Sequence, residues 1–182
     1  MSSQLRKHIQ FKLKHHLRSW WARKRLGACG DHVFIDDNVK VMRFPKNVSI
    51  AANVVLKEGA RICACNETAK IQVGANTTIG YNTFIFASSS IVIGDDCLIA
   101  PFVYIVDSNH QINIDQKINL QPNESAPILI GNDVWIGSNV TILKGVKIGE
   151  GAVIGAHSLV NTDIPSYSIY AGAPAKEIGK RS

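Results

Sequence analysis

Histidine is the side chain that most readily exchanges a proton near neutrality, and six of them stand in the 182 residues. His8, His15 and His16 lie among basic residues at the N-terminus, and His32 precedes the regular part of the chain. His157 falls in a repeating segment, where it is expected to face outward. His110 alone stands at the root of a long irregular stretch, in the segment Asp107-Ser108-Asn109-His110. A histidine so placed suits general acid or base work, with Asp107 or a main-chain carbonyl to fix its tautomer. The other reading is an ordinary exposed loop histidine. The four cysteines, Cys29, Cys63, Cys65 and Cys97, form no C-x-x-C pair and have no histidines at zinc-finger spacing. They read as buried thiols of a reduced compartment, and no metal is expected.

What must position these groups is a repeat. Apolar residues recur every six positions, a period of neither an amphipathic helix nor an alternating strand. Ile50, Leu56 and Ile62 form one set, and Val73, Ile79, Ile85 and Ile91 follow an interruption at residues 66–70. After a slip of two come Ile93, Ile99 and Ile105; Ile130, Ile136, Ile142, Ile148, Ile154 and Val160 then run unbroken. Gly follows the apolar residue at 74, 80, 94, 131, 137, 149 and 155, with Asn or Asp close behind. These types tolerate the positive φ of a sharp corner. Three six-residue sides close a coil of roughly 18 residues, so the expected fold is all-β, a parallel β-helix shaped as a triangular prism.

The repeat breaks at residues 106–129, a projecting loop of the kind that on a rigid scaffold is usually functional or disordered. The expected organisation is residues 1–30 as a basic helical segment, 31–165 as the β-helix with its loop, and 166–182 as a tail. Within residues 1–26, Leu5, Ile9, Leu13, Leu17, Trp20 and Trp21 fall on one helical face among basic neighbours. This face suits first a cap on the open end of the prism or packing on a neighbouring subunit, with an anionic membrane surface as the second reading. The net charge of +6 belongs to this segment: residues 1–30 hold eight Lys or Arg and no acid, leaving 12 basic against 14 acidic residues in the body. A near-neutral body argues against nucleic acid. With no secretory signal or membrane-spanning run, a cytoplasmic protein is expected, with peripheral attachment to the membrane's inner face as the alternative.

The runs IGYNTF, IGDDCLIAPFV, IGNDVWIGSNVTILKGVKIGEGAVIGAHSLV and DIPSYSIYAGAPAK resemble the hexapeptide-repeat acyltransferases, including maltose, galactoside and capsule-sugar O-acetyltransferases, over about residues 50–178. That resemblance implies a left-handed β-helix, acetyl-CoA as acyl donor, and a sugar hydroxyl of a surface polysaccharide or glycoconjugate as acceptor. It also implies a homotrimer whose sites lie between neighbouring prisms. His110 matches the family's general base. Ser138 of WIGSN and Ala156 of IGAHS match residues lining the pantetheine groove. Asn161 and Thr162 stand near the phosphates, where the family often has Thr-Lys, and Lys176, helped by Lys180, serves the nucleotide end. Trp135 is expected to wall the thioester entrance. Tyr81 and Asn82 are candidate acceptor contacts with Asp107 and Asn109, although GYNTFIFAS does not reproduce the acceptor contacts of galactoside acetyltransferases.

Two rival functions stay open on the sequence, and a third is disfavoured by it. One is an N-acetyltransferase of a nucleotide-linked amino sugar, and another is a non-enzymatic β-helix scaffold. A γ-class carbonic anhydrase would need a histidine pair at H-x-x-x-x-H, and the rungs carry none.

Overall fold

The computed structural model describes residues 9–182. Short parallel strands wind into a three-sided solenoid, giving two six-stranded sheets and one eight-stranded sheet, here faces I, III and II in chain order. The first rung uses Ala28–Cys29 on face I, Phe34–Ile35 on face II and Lys40–Arg43 on face III. Its inward positions Cys29, Ile35 and Val41 keep the six-residue spacing, but the longer step from Val41 to Ile50 sets the rung apart from the hexads that begin at Ile50. The core is three stacked aliphatic columns: Ile50, Val73, Ile93, Ile130 and Ile148 on face I; Leu56, Ile79, Ile99, Ile136 and Ile154 on face II; Ile62, Ile85, Ile105, Ile142 and Val160 on face III. Each buried residue contacts its equivalents above and below, so stability accumulates rung by rung.

The slip at Ile91 has a simple origin. Face III carries four-residue strands at Arg61–Ala64 and Phe84–Ala87, and Ile91 and Ile93 both point inward from the face I strand Ser90–Ile93. The corner glycines also act differently from expectation. Positive φ falls instead on the residues behind them, Asn76, Asn82, Asp96, Asp133 and Asn139 among them. The glycines are needed for close approach: a Cβ on Gly137 would sit 2.6 Å from the Ala156 nitrogen of the next rung.

Residues 166–182, expected to leave the solenoid, extend it. Ser168–Ala171 pairs parallel with Val153–Ile154 on face II, and Lys176–Lys180 returns antiparallel beside it. Ala175 is buried and closes the C-terminal end of the core.

At the other end one helix, α1 (Leu13–Arg25), lies over the first rung. The expected helix over 1–26 is shorter, since residues 9–12 are not helical, and Leu5 lies outside the described residues. Its docked face is His15, Ser19 and Ala22, continued by Leu26. Ser19 Oγ donates to the Val33 carbonyl, Lys14 and Arg18 pair with Asp37, and Lys46 Nζ donates to the Lys24 carbonyl at the helix C-terminus. The helix therefore caps the prism, but through the face opposite the one the apolar pattern suggested.

Candidate active site

The chain leaves the prism at the edge between faces III and I, after the strand Tyr104–Val106, and returns at Ile128–Ile130. What the sequence presents as a loop begins as a two-stranded antiparallel ribbon, Ser108–His110 against Asn123–Ser125, with His110 opposite Asn123. Beyond it the tip is stapled by Gln121, whose amide donates to the Asn113 and Gln116 carbonyls and accepts the Asn113 N–H. Nothing in the residue pattern distinguished this glutamine from a surface one.

Asp107 fixes the root of the ribbon. It is fully buried, and its two carboxylate oxygens accept the N–H groups of Ser88 at 2.6 Å and Ser89 at 2.8 Å, on the rung below. Its own carbonyl accepts the N–H of Ala126 at 2.9 Å, joining the outgoing and returning chain. Lys144 Nζ holds Glu124 Oε2 at 2.7 Å from the rung above, and this hydrogen bond keeps the Glu124 carboxyl below its ordinary range. Asp107 was read as an acceptor contact or an orienting partner for His110. Burial removes it from the acceptor's reach, and its carboxylate positions the loop through the backbone instead. Asn109 and His110 are exposed, and neither imidazole nitrogen of His110 has a hydrogen-bond partner among the described residues.

The other candidates divide among the edges of the prism. Tyr81, Asn82, Ser138 and Ala156 lie at the edge between faces II and III. There the His157 N–H donates to the Ser138 carbonyl at 2.8 Å, stacking consecutive corners. Asn82 adopts positive φ, which accounts for its residue type by corner geometry. Lys176 joins this edge, opposite Ala171, whereas Lys180 pairs with Ser168 at the far end of the same strand. Asn161 and Thr162 stand with the His110 loop at the III–I edge, two rungs farther along. Trp135 projects from face II beside Leu98 and Val153 and is exposed. A single chain thus keeps His110 on one edge and Ser138, Ala156 and Lys176 on another.

Among the described residues no group of three or more His, Cys, Asp or Glu side chains could hold a metal ion. Cys97 is a core residue, with Sγ donating to the Gly131 carbonyl and burial pushing its thiol up to about 11. So little thiolate near neutrality makes it a poor nucleophile.

Comparison with known proteins agrees with this architecture. Residues 127–162 match the bacterial transferase hexapeptide family (six repeats), and residues 70–105 match the hexapeptide repeat of succinyl-transferase. WbbJ of Escherichia coli K12, named provisionally as a lipopolysaccharide biosynthesis O-acetyl transferase, is 33% identical over 180 residues, covering 86% of this chain and 91% of WbbJ. The chain spans a smaller share, 40% to 59%, of five other curated relatives. A solved galactoside acetyltransferase in complex with coenzyme A superposes with a TM-score of 0.71 at 28% identity, covering 95% of this chain and 74% of that one. An N-acyltransferase from Bacillus cereus superposes at 0.79 with 19% identity, covering 94% of this chain and 90% of that one, a likeness of fold alone.

Proposed function

The chain belongs to the hexapeptide-repeat acyltransferases, and we propose that it moves an acetyl group from acetyl-CoA to a sugar hydroxyl of a surface glycan, with His110 as general base. The observation that carries this reading is the placement of His110. It stands exposed on a ribbon whose root is locked by a buried carboxylate, with neither ring nitrogen hydrogen-bonded among the described residues.

As the acceptor oxygen attacks the thioester carbonyl, His110 takes the hydroxyl proton; collapse of the tetrahedral intermediate expels the coenzyme A thiolate, which takes that proton from the imidazolium and leaves His110 neutral again. Alignment and base assistance suffice for direct transfer. Ser138 and Ala156 expose small side chains on adjacent corners, which suits a narrow pantetheine arm, and Lys176 on the same edge suits a phosphate. Asn161 and Thr162 offer neutral donors at the other edge.

The split between edges supports a homotrimer, in which the His110 loop of one copy meets the II–III edge of the next. Ile112, Ile114, Ile118 and Leu120 at the loop tip are exposed in the single chain, Ile114 at 98%, an apolar surface that a neighbour would cover. The test is acetyl-CoA turnover against free sugars, nucleotide sugars and lipid-linked oligosaccharides. Turnover confined to amino-sugar acceptors would replace the O-transfer reading, and no turnover with any acceptor would reject it.

A further inference from the structure

The face that α1 leaves uncovered has its own pattern. At 100° per residue, the docked residues His15, Ser19, Ala22 and Leu26 fall on one side of the helix. Leu13, Leu17, Trp20 and Trp21 fall on the opposite side and are 76%, 53%, 49% and 58% exposed. Four large apolar side chains in one stripe are more than scattered surface residues.

The flanks are cationic. Lys14, Arg18 and Arg25 line one side of the stripe and Arg23 the other, while Lys24 Nζ sits 3.8 Å from the centroid of the Trp20 ring. α1 contains no acidic residue. Asp37 and Asp31 of the body engage Lys14, Arg18 and Arg23, and Lys12, Lys24 and Arg25 form no ion pair among the described residues. Tryptophan rings favour the boundary between hydrocarbon and headgroups, and flanking cations reach anionic lipid while their stems cover apolar surface.

We propose that α1 binds the surface of an anionic phospholipid bilayer, lying in its plane with Leu13, Leu17, Trp20 and Trp21 inserted, while its opposite face remains docked on the prism. Charge complementarity selects this occupant: a second copy of the helix would bring like charges together, whereas anionic headgroups neutralise them. No helix among the described residues is long and apolar enough to cross a membrane, so attachment is to one surface. The proposal is independent of the acetyl-transfer reading, because its test measures binding and not turnover.

The full chain is mixed with phosphatidylcholine vesicles, with and without phosphatidylglycerol, and the bound fraction is measured by flotation. Binding is expected only with phosphatidylglycerol, weakening as salt rises. Replacing both Trp20 and Trp21 by alanine should reduce it at least tenfold, as should Lys24→Glu with Arg25→Glu. Trp21 and Arg25 also border the cavity between α1 and the first rung, so circular dichroism melts serve as the folding control for both variants. Absent binding at low salt, equal binding to neutral vesicles, or unchanged binding by both variants would overturn the proposal. So would a fall in the molar mass of the assembly on replacing the tryptophans, which would make the stripe a contact between copies.

Discussion

The carboxylate of Asp107 accepts the N–H of Ser88 at 2.6 Å, tying the root of the His110 loop to the rung beneath it. The second oxygen holds the Ser89 N–H, so two main-chain donors that no strand partner reaches are satisfied by one buried side chain. Charge-assisted hydrogen bonds are stronger than neutral ones, and unsatisfied buried donors are costly. Asp107→Ala should therefore lower unfolding stability by about 2–4 kcal/mol in denaturant titrations. An unchanged denaturation midpoint would remove Asp107 as the loop's anchor.

The general-base role proposed for His110 places it in the chemistry, and its exposure keeps it out of the packed core. His110→Ala is expected to reduce turnover by ~10²–10⁴, which corresponds to about 3–5 kcal/mol on the barrier. Its unfolding stability should stay within about 0.5 kcal/mol of the parent, as for other exposed positions. Coenzyme A affinity, measured by calorimetry, should hardly change. Near-normal turnover by a folded variant would require a different base.

Acid should loosen α1 in two stages. Burial lowers the pKa of His15 from 6.5, so the folded state resists its protonation. Stability from this group is complete above about 6.5 and is lost as pH falls through the lower folded value. Asp37 is held at about 2 by hydrogen bonds from Lys14 and then Arg18. Its contribution is complete above the unfolded value of 3.8 and disappears as pH falls through about 2. Amide exchange across residues 13–25 should rise below about pH 6.5 and again below about pH 4. Flat protection from pH 7 to 2 would contradict both assignments.

Phe102 adopts φ of 60°, where other rungs of the same edge place Asn38, Gly59, Asn82, Asn139 and His157. A bulky side chain in the left-handed region is strained, whereas asparagine enters it more easily. Phe102 is also exposed and so recovers little by burial. Phe102→Asn should raise stability by about 1 kcal/mol, seen as a higher melting temperature. A lower one would mean that the ring has a packing partner in the assembly.

The proposed trimer can be tested at the loop tip. Light scattering on the parent should give three times the chain mass, and Ile114→Asp together with Leu120→Asp should shift the distribution toward smaller species. A stable monomer of the parent with full turnover would defeat the shared-site arrangement.

The repeat was legible in the sequence because each rung buries its aliphatic residue against equivalents a fixed number of residues away, so Ile130 through Val160 print the period directly. His110 stood out where that period failed, and the break located the ribbon it occupies. Asp107 and the corner glycines were read with the wrong tasks and Gln121 was not singled out, since hydrogen bonding to a neighbouring rung or within a loop tip and close backbone approach leave no periodic trace. The helix shows the same division. Its apolar stripe was visible in residues 13–21, but which face docks depends on what the first rung offers: the Val33 carbonyl to Ser19 and the carboxylate of Asp37 to Lys14 and Arg18. Edge assignment, which separates His110 from Ser138, Ala156 and Lys176, likewise follows from where each turn of the coil begins, a property of three-dimensional winding that residue spacing alone does not carry.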